Sequence, residues 1–192
     1  MIRTRTLFSS VPALLFIFAF TAFCDIRSET EPVMMEISQH DHLSHLTWSA
    51  VMNDNDHSKK IKRTEEEWRE LLTSEQHRIL RRSGTELPFI NRLNSNFNEG
   101  VYVCAGCGNP LFLSDTKFKS GSGWPSFWKP IDPRSVAEKD DYSLWMHRTE
   151  IVCNRCDSHL GHLFPDGPEP TGLRYCMNSA AMKFIAKTEE DA

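Results

Sequence analysis

Cysteine is where the chemistry of this chain must begin. Six cysteines occur in 192 residues, and they are not equivalent. Four form two Cys-x-x-Cys pairs, Cys104 with Cys107 and Cys153 with Cys156, whereas Cys24 lies in an apolar N-terminal stretch and Cys176 stands by itself. Around Cys176 the chain reads Gly-Leu-Arg-Tyr-Cys-Met-Asn-Ser-Ala-Ala-Met, so Arg174 precedes the thiol by two residues and Asn178 follows it by two. On an extended segment, residues two apart point to one face. Arg174, Cys176 and Asn178 would then share a surface. A guanidinium beside a thiol favours the thiolate, the form that acts as nucleophile. His159 and His162, in the loop region before this stretch, could add imidazoles that exchange protons near neutrality. Spacing alone leaves a second reading open, in which Cys176 is a small buried hydrophobe.

The two Cys-x-x-Cys pairs have a different chemistry available. Tetrahedral zinc takes four thiolates, and each short pair can place two on one side of the ion. The long separation between Cys107 and Cys153 is no obstacle, because loop closure grows by only about 0.6 kcal/mol per doubling of length. Structural zinc supplies on the order of 10 kcal/mol. Two disulfides in an exported protein, or a redox-active pair, are the rival readings. The similar turns that flank both pairs favour one metal, expected to be Zn2+, on Cys104, Cys107, Cys153 and Cys156. Four sulfur ligands leave no open position, so that ion would hold the fold.

Elements able to position these groups begin near residue 62. Thr64-Glu65-Glu66-Glu67 matches a capping box, and Trp68, Leu71 and Leu72 follow as an apolar stripe. Thr73-Ser74-Glu75-Gln76 repeats the signal for a second helix from Ser74 to about Arg82, with Gly84 as its C-terminal stop. Residues 88–100 read as an Asn-rich loop. Strand candidates follow at residues 101–103, 111–113, 142–146, 149–152, 173–178 and 182–185, the first two forming a hairpin with a metal knuckle at its tip. Strands outnumber helices after residue 100, which predicts a mainly β, antiparallel domain with short N-terminal helices.

Residues 1–24 are excluded from the fold. Arg3 and Arg5 precede an apolar run over residues 11–23 that is short for a membrane span but fits a signal-peptide core. The expectation is secretion or export to a periplasm; organelle targeting or a retained N-terminal anchor is the alternative. Residues 25–61 read as a flexible polar linker containing His40, His42, His45 and His57, a tract that can also bind metal. Residues 62–192 form the folded domain. The net charge of −4 gives no electrostatic case for nucleic acid, and nothing in the mature domain calls for a membrane or an oligomer.

Between the knuckles lies Ser120-Gly-Ser-Gly-Trp124-Pro-Ser-Phe127-Trp128, a loop that can wall an apolar pocket or simply supply core aromatics. Its company is more specific. In order, the chain contains Gly100-Val-Tyr-Val-Cys-Ala-Gly-Cys-Gly, Gly121-Ser-Gly-Trp-Pro-Ser-Phe, Cys153-x-x-Cys156-x-Ser-His159-Leu-Gly-His162-Leu-Phe, Asp166-Gly-Pro and Gly172-Leu-Arg-Tyr-Cys-Met-Asn-Ser. Over about residues 63–186 this combination resembles the methionine-R-sulfoxide reductases, the MsrB family.

The resemblance implies a zinc-stapled β-tent domain and the repair of oxidised methionine, free or in peptides and proteins. Cys176 would attack the sulfoxide sulfur and end as a sulfenic acid, an oxidation level that thiols reverse. His159 or His162 would protonate the departing oxygen, Arg174 would favour the thiolate, and Asn178 would position substrate or the histidines. Trp124 and Phe164 would receive the methyl group on sulfur. One residue departs from the pattern: many members carry a resolving cysteine where this chain has Ser122, and a hydroxyl cannot form a disulfide. Regeneration would then need an external thiol, thioredoxin-like or small, or another cysteine standing in. Two alternatives remain beside the reductase: a non-catalytic zinc-held binding module, and a cysteine hydrolase using Cys176, a histidine and Asn178. No hydrolase signature surrounds Cys176.

Overall fold

A computed structural model describes residues 41–54, 59–143 and 146–191. The expected signal peptide, Cys24, His40 and His57 lie outside the described residues, as does most of the expected linker. Among the described residues three short helices come first: α1 (Trp48–Asn53), α2 (Glu65–Leu71) and α3 (Ser74–Arg82). Nine strands follow: β1 (Gly100–Cys104), β2 (Pro110–Leu113), β3 (Lys117–Phe118), β4 (Ser126–Phe127), β5 (Val136–Asp141), β6 (Arg148–Cys153), β7 (His159–Phe164), β8 (Arg174–Met177) and β9 (Met182–Ala186). They build a three-stranded sheet in the order β2-β1-β9 and a six-stranded sheet in the order β3-β4-β8-β7-β6-β5. All pairings are antiparallel, so the mainly β expectation holds.

Both capping boxes form. The Thr64 hydroxyl accepts from Glu67 N at 3.2 Å while the Glu67 carboxylate accepts from Thr64 N at 2.7 Å, and Thr73 and Gln76 repeat the exchange at α3. These bonds satisfy donors that a helix start leaves unpaired. The stop of α3 differs from expectation. Ser83, at φ 48°, takes the left-handed position, and Gly84 follows it with its N–H on Arg78 O at 3.1 Å.

The sheets meet through aromatics. Phe127 of β4 stacks on Phe112 of β2 at 4.4 Å between centroids and meets Tyr102 of β1 edge-on at 4.9 Å. Trp68, Ile79 and Leu80 from the helices join this buried cluster. A second cluster covers the other face of the small sheet: Leu43 and Val51 pack with Val101, Val103 and Ile185. Residues 41–54, expected as part of the polar linker, are therefore part of the domain. The physical reason is that β1 is buried along its whole length, and a strand apolar on both faces needs a cover on each. His42, expected in the flexible linker, places Nε2 3.2 Å from Gly106 O.

Two further expectations change. The strand expected at 142–146 falls just past β5; Tyr142 and Ser143 are not in a strand, and residues 144 and 145 lie outside the description. The true strand, Val-Ala-Glu-Lys-Asp-Asp, is the edge of the large sheet, where charges discourage further pairing and hide the strand from a hydrophobicity reading. His159 and His162 lie on strand β7 rather than in a loop.

Strand β7 meets β8 closely at Gly161. A Cβ there would lie 2.1 Å from Cys176 O and 2.9 Å from Met177 Cα, both backbone atoms. Gly161→Ala should therefore force the two strands apart. We expect a loss of about 2 kcal/mol or more, read as a lower midpoint in urea unfolding; an unchanged midpoint would contradict this packing.

Candidate active site and the four-cysteine cluster

One row of side chains crosses four strands. Ser126 of β4 faces Cys176 of β8, which faces His162 of β7, which faces Glu150 of β6. Directly opposed residues project from the same side of a sheet, so this register alone gathers thiol, imidazole and carboxylate. His159 should point the other way, being three residues from His162. A register shift between Ile151 and Val152 interrupts the β6–β7 ladder, and such an irregularity re-aims side chains. The two imidazoles consequently meet edge-on at 5.4 Å between centroids.

Each imidazole has its own acid. His159 Nδ1 lies 2.6 Å from Glu150 Oε1, and His162 Nε2 lies 2.8 Å from Asp141 Oδ2. Burial keeps His159 below the ordinary histidine pKa, Glu150 opposing this only in part, so its ring is neutral at physiological pH. Its Nε2 is buried and finds no partner among the described residues. Asp141 also accepts from Arg148 Nη2 at 2.6 Å and from Ser143 N at 2.8 Å. Hydrogen bonds from Ser143 and His162, with the Arg148 charge, hold its carboxyl well below the usual range.

Cys176 departs from the simple expectation of an ionised thiol. Burial pushes the thiol above its ordinary pKa, and the Ser122 hydroxyl and Arg174 charge pull it back only in part. The guanidinium is shared. Arg174 donates through Nε and an Nη to both oxygens of Asp166, each at 2.8 Å, and stacks over the Phe164 ring at 4.4 Å. Asp166 cancels part of the field that Arg174 would exert on the sulfur. Ser122 Oγ lies 3.8 Å from Cys176 Sγ and belongs to a hydroxyl chain with Ser120 and Ser126.

A cleft of about 120 Å³ opens over this row, lined among others by Trp124, Arg148, His162, Phe164, Cys176 and Asn178. Of the two histidines, only His162 lines it. Asn178, expected to position substrate or the histidines, lines the cleft and also ties two segments together. Its side chain accepts from Glu86 N at 3.1 Å and donates to Leu160 O at 3.1 Å. The Glu86 carbonyl receives Trp124 Nε1 at 3.1 Å, while the buried Glu86 carboxylate takes the N–H groups of Ser179 and Ala180. Asn178 and Glu86 together seat the indole. Sequence reasoning missed Glu86, Asp141, Arg148 and Glu150. No local motif marks them, because each earns its place by a partner distant in the chain.

On the far side, Cys104, Cys107, Cys153 and Cys156 bring their sulfurs within 4.8 Å of one another. Cys104 and Cys156 are 3.7 Å apart, and Cys107 and Cys153 are 3.6 Å apart. Metal–thiolate bonds of about 2.3 Å would set tetrahedral sulfurs roughly 3.8 Å apart, so these residues fit one metal ion.

Fold and cleft together define a small two-sheet protein that presents a thiol under aromatic cover, with a metal-competent knuckle behind it. Comparison with known proteins carries the assignment further. Residues 72–186 match the family model described as the SelR domain. The chain is 54% identical over 125 residues to the peptide methionine sulfoxide reductase MsrB of Hahella chejuensis, covering 65% of this chain and 90% of that one. To its counterpart in Methanosarcina barkeri it is 55% identical over 133 residues, covering 69% and 92%. For Pseudomonas paraeruginosa the identity is 53% over 128 residues, covering 67% and 97%. The chain belongs to the MsrB family.

The raised thiol pKa has a measurable consequence. Since only thiolate is alkylated, reaction of position 176 with iodoacetamide should rise with pH to a midpoint above the ordinary thiol value of about 8.5. Peptide-resolved mass spectrometry separates it from the other cysteines. Removing the guanidinium in Arg174→Met should move the midpoint higher still; a downward move would reverse the assigned sign.

Proposed function

We propose that this chain is a peptide-methionine (R)-S-oxide reductase in which Cys176 takes the oxygen. The observation that supports this reading best is the pairing of Cys176 with His162 across β7 and β8 beneath Trp124 and Phe164. The Cys176 sulfur attacks the sulfoxide sulfur, the sulfur–oxygen bond breaks, and the oxygen passes to cysteine. Methionine leaves reduced by two electrons and Cys176 remains as sulfenic acid. Two external thiols return it: the first displaces water to form a mixed disulfide, and the second releases Cys176.

The resting thiol is protonated, so its proton must leave as sulfur attacks. His162 is the group of choice to accept a proton and return one to the sulfoxide oxygen. With Nε2 engaged by Asp141, Nδ1 is the ring nitrogen left for the cleft. His159, buried and neutral beside it, orients rather than transfers. Arg174 lowers the barrier to ionisation although it does not ionise the resting thiol, and the aromatic walls hold the methyl group on sulfur. Ser122 can stabilise the thiolate by donating a hydrogen bond, and it leaves resolution to a thiol from outside, either a small one or a thioredoxin-like protein.

In this reading the metal on the four cysteines is zinc, which when bound staples the two sheets and takes no part in oxygen transfer. The sulfur spacing supports it.

An epimer-resolved assay tests the reaction. With dithiothreitol the purified protein should reduce the R epimer of a blocked methionine sulfoxide and leave the S epimer nearly untouched. Cys176→Ser should fall to background; retention of full activity would remove Cys176 from the mechanism. A parallel run with a thioredoxin system measures which reductant serves. Elemental analysis should find about one zinc per chain, and Cys104→Ser should lose the metal and much of the thermal stability. A zinc-free native protein of equal stability would refute the staple.

A further inference from the structure

Beside the cleft, a segment holds apolar side chains out in solvent at a conformational cost. Leu87, Phe89, Ile90 and Phe97 are 67%, 67%, 77% and 44% exposed. Isolated exposed apolar residues are ordinary, but a cluster of large ones on a monomer marks a contact surface. Phe89 adopts φ 68°, the left-handed region in which a bulky residue is strained. The surroundings impose this. Phe89 N donates to Gly123 O at 2.8 Å, and Asn91 Nδ2 donates to the same oxygen at 2.7 Å. The two loops are so close that a Cβ on Gly123 would lie 2.6 Å from Pro88 Cβ and 2.9 Å from Phe89 N. The backbone that carries Phe89 is thus tied, with Asn91, to the loop that carries Ser122 and Trp124.

A groove of about 320 Å³ runs between this segment and that loop, lined by Phe89, Asn94, Phe97, Lys119, Gly121 and Gly123 among others. The loop separates the groove from the thiol: Gly121 and Gly123 line one side, while Ser122 reaches Cys176 at 3.8 Å on the other. The groove and the active cleft are therefore neighbours on opposite sides of one loop. Its character is apolar with a cationic rim, since the Lys119 ammonium sits 5.5 Å from the Phe97 ring centroid.

We infer that this groove is the docking surface for the polypeptide that carries the oxidised methionine, taking an apolar side chain within about three residues of it, with a nearby acidic residue favoured by Lys119. This deepens the reductase reading and rests on it. The cleft of about 120 Å³ over Cys176 is the smaller of the two spaces, and the groove lies next to it. A rigid apolar shelf recognises a flanking side chain by burial, at little ordering cost to the enzyme.

The test compares one blocked single amino acid, N-acetyl-methionine-R-sulfoxide amide, with peptides carrying Leu or Ser two residues from the sulfoxide, all reduced by dithiothreitol with the full chain. The wild type should prefer the Leu peptide over the Ser peptide by about tenfold in kcat/KM, expressed in KM. In the double variant Phe89→Asn with Phe97→Ser, which removes both aromatic rings of the groove, that preference should vanish while the single amino acid is reduced as before. Asn tolerates the left-handed backbone at position 89, and the small substrate reports on whether the cleft is intact. Phe97→Ser alone should show part of the same effect. Equal losses on the small substrate and the peptides, or an unchanged peptide preference, would overturn the inference while sparing the reductase. Variants that slow only turnover driven by a protein reductant would assign the surface to that reductant and overturn it likewise. If the wild type reduces not even the single amino acid, the reductase reading itself fails, and the inference with it.

Discussion

Four sulfurs converge behind the sheets, and much of the domain is arranged around that convergence. Cys104 and Cys107 come from the knuckle beside β1 in the small sheet, Cys153 and Cys156 from the turn between β6 and β7 in the large one. Other contacts gather at the same point. Arg81 of α3 donates to Cys156 O at 3.0 Å and lies over Trp68 of α2 at 4.8 Å. Asn109 reaches Ser135 O at 2.9 Å and Cys153 Sγ at 3.6 Å. The β6–β7 hairpin that leaves this anchor is the one bearing Glu150, His159 and His162. A constraint remote from Cys176 therefore aims the acidic and imidazole groups beside it.

At the other end of that hairpin, electrostatics and burial oppose each other. A thiol set deep enough to sit under Trp124 and Phe164 loses the water that would stabilise its ionised form. Arg174 could compensate but is held by Asp166, and the outcome is a protonated thiol with stabilising groups already in place. Such a group is protected from indiscriminate oxidation, because the thiolate is the reactive species. In the proposed reaction it becomes a nucleophile when an imidazole takes its proton. The acid partners of the two histidines serve this arrangement by fixing ring orientation, which is the usual service of a carboxylate to a functional imidazole.

The aromatic wall depends on a third feature, the buried Glu86. Its carboxylate caps Ser179 and Ala180, its N–H goes to Asn178, and its carbonyl holds the indole of Trp124. Burial raises the carboxyl pKa, and the two backbone donors work against that rise. Positions just past the thiol are thereby tied to the segment that leads into the exposed shelf at residues 87–97, so the thiol, the wall and the shelf form one connected unit.

The chain's own residues determined a good deal of this. Both capping boxes, the β1–β2 hairpin, each Cys-x-x-Cys unit and the singular position of Cys176 were legible because each is local, written in residues a few positions apart. The shared face of Arg174 and Cys176 followed from strand periodicity for the same reason. The tertiary structure alone decided the rest. Edge strand β5 is charged and becomes a strand only by pairing with β6. The two histidines face one way because the ladder is shifted. Residues 41–54 join the core because β1 needs a second cover. Arg174 meets Asp166 across a turn, and Cys176 ends up protonated instead of ionised. Spacing can say which groups are near each other along the chain, but desolvation and shared partners belong to the whole fold, and these set the charge on the sulfur.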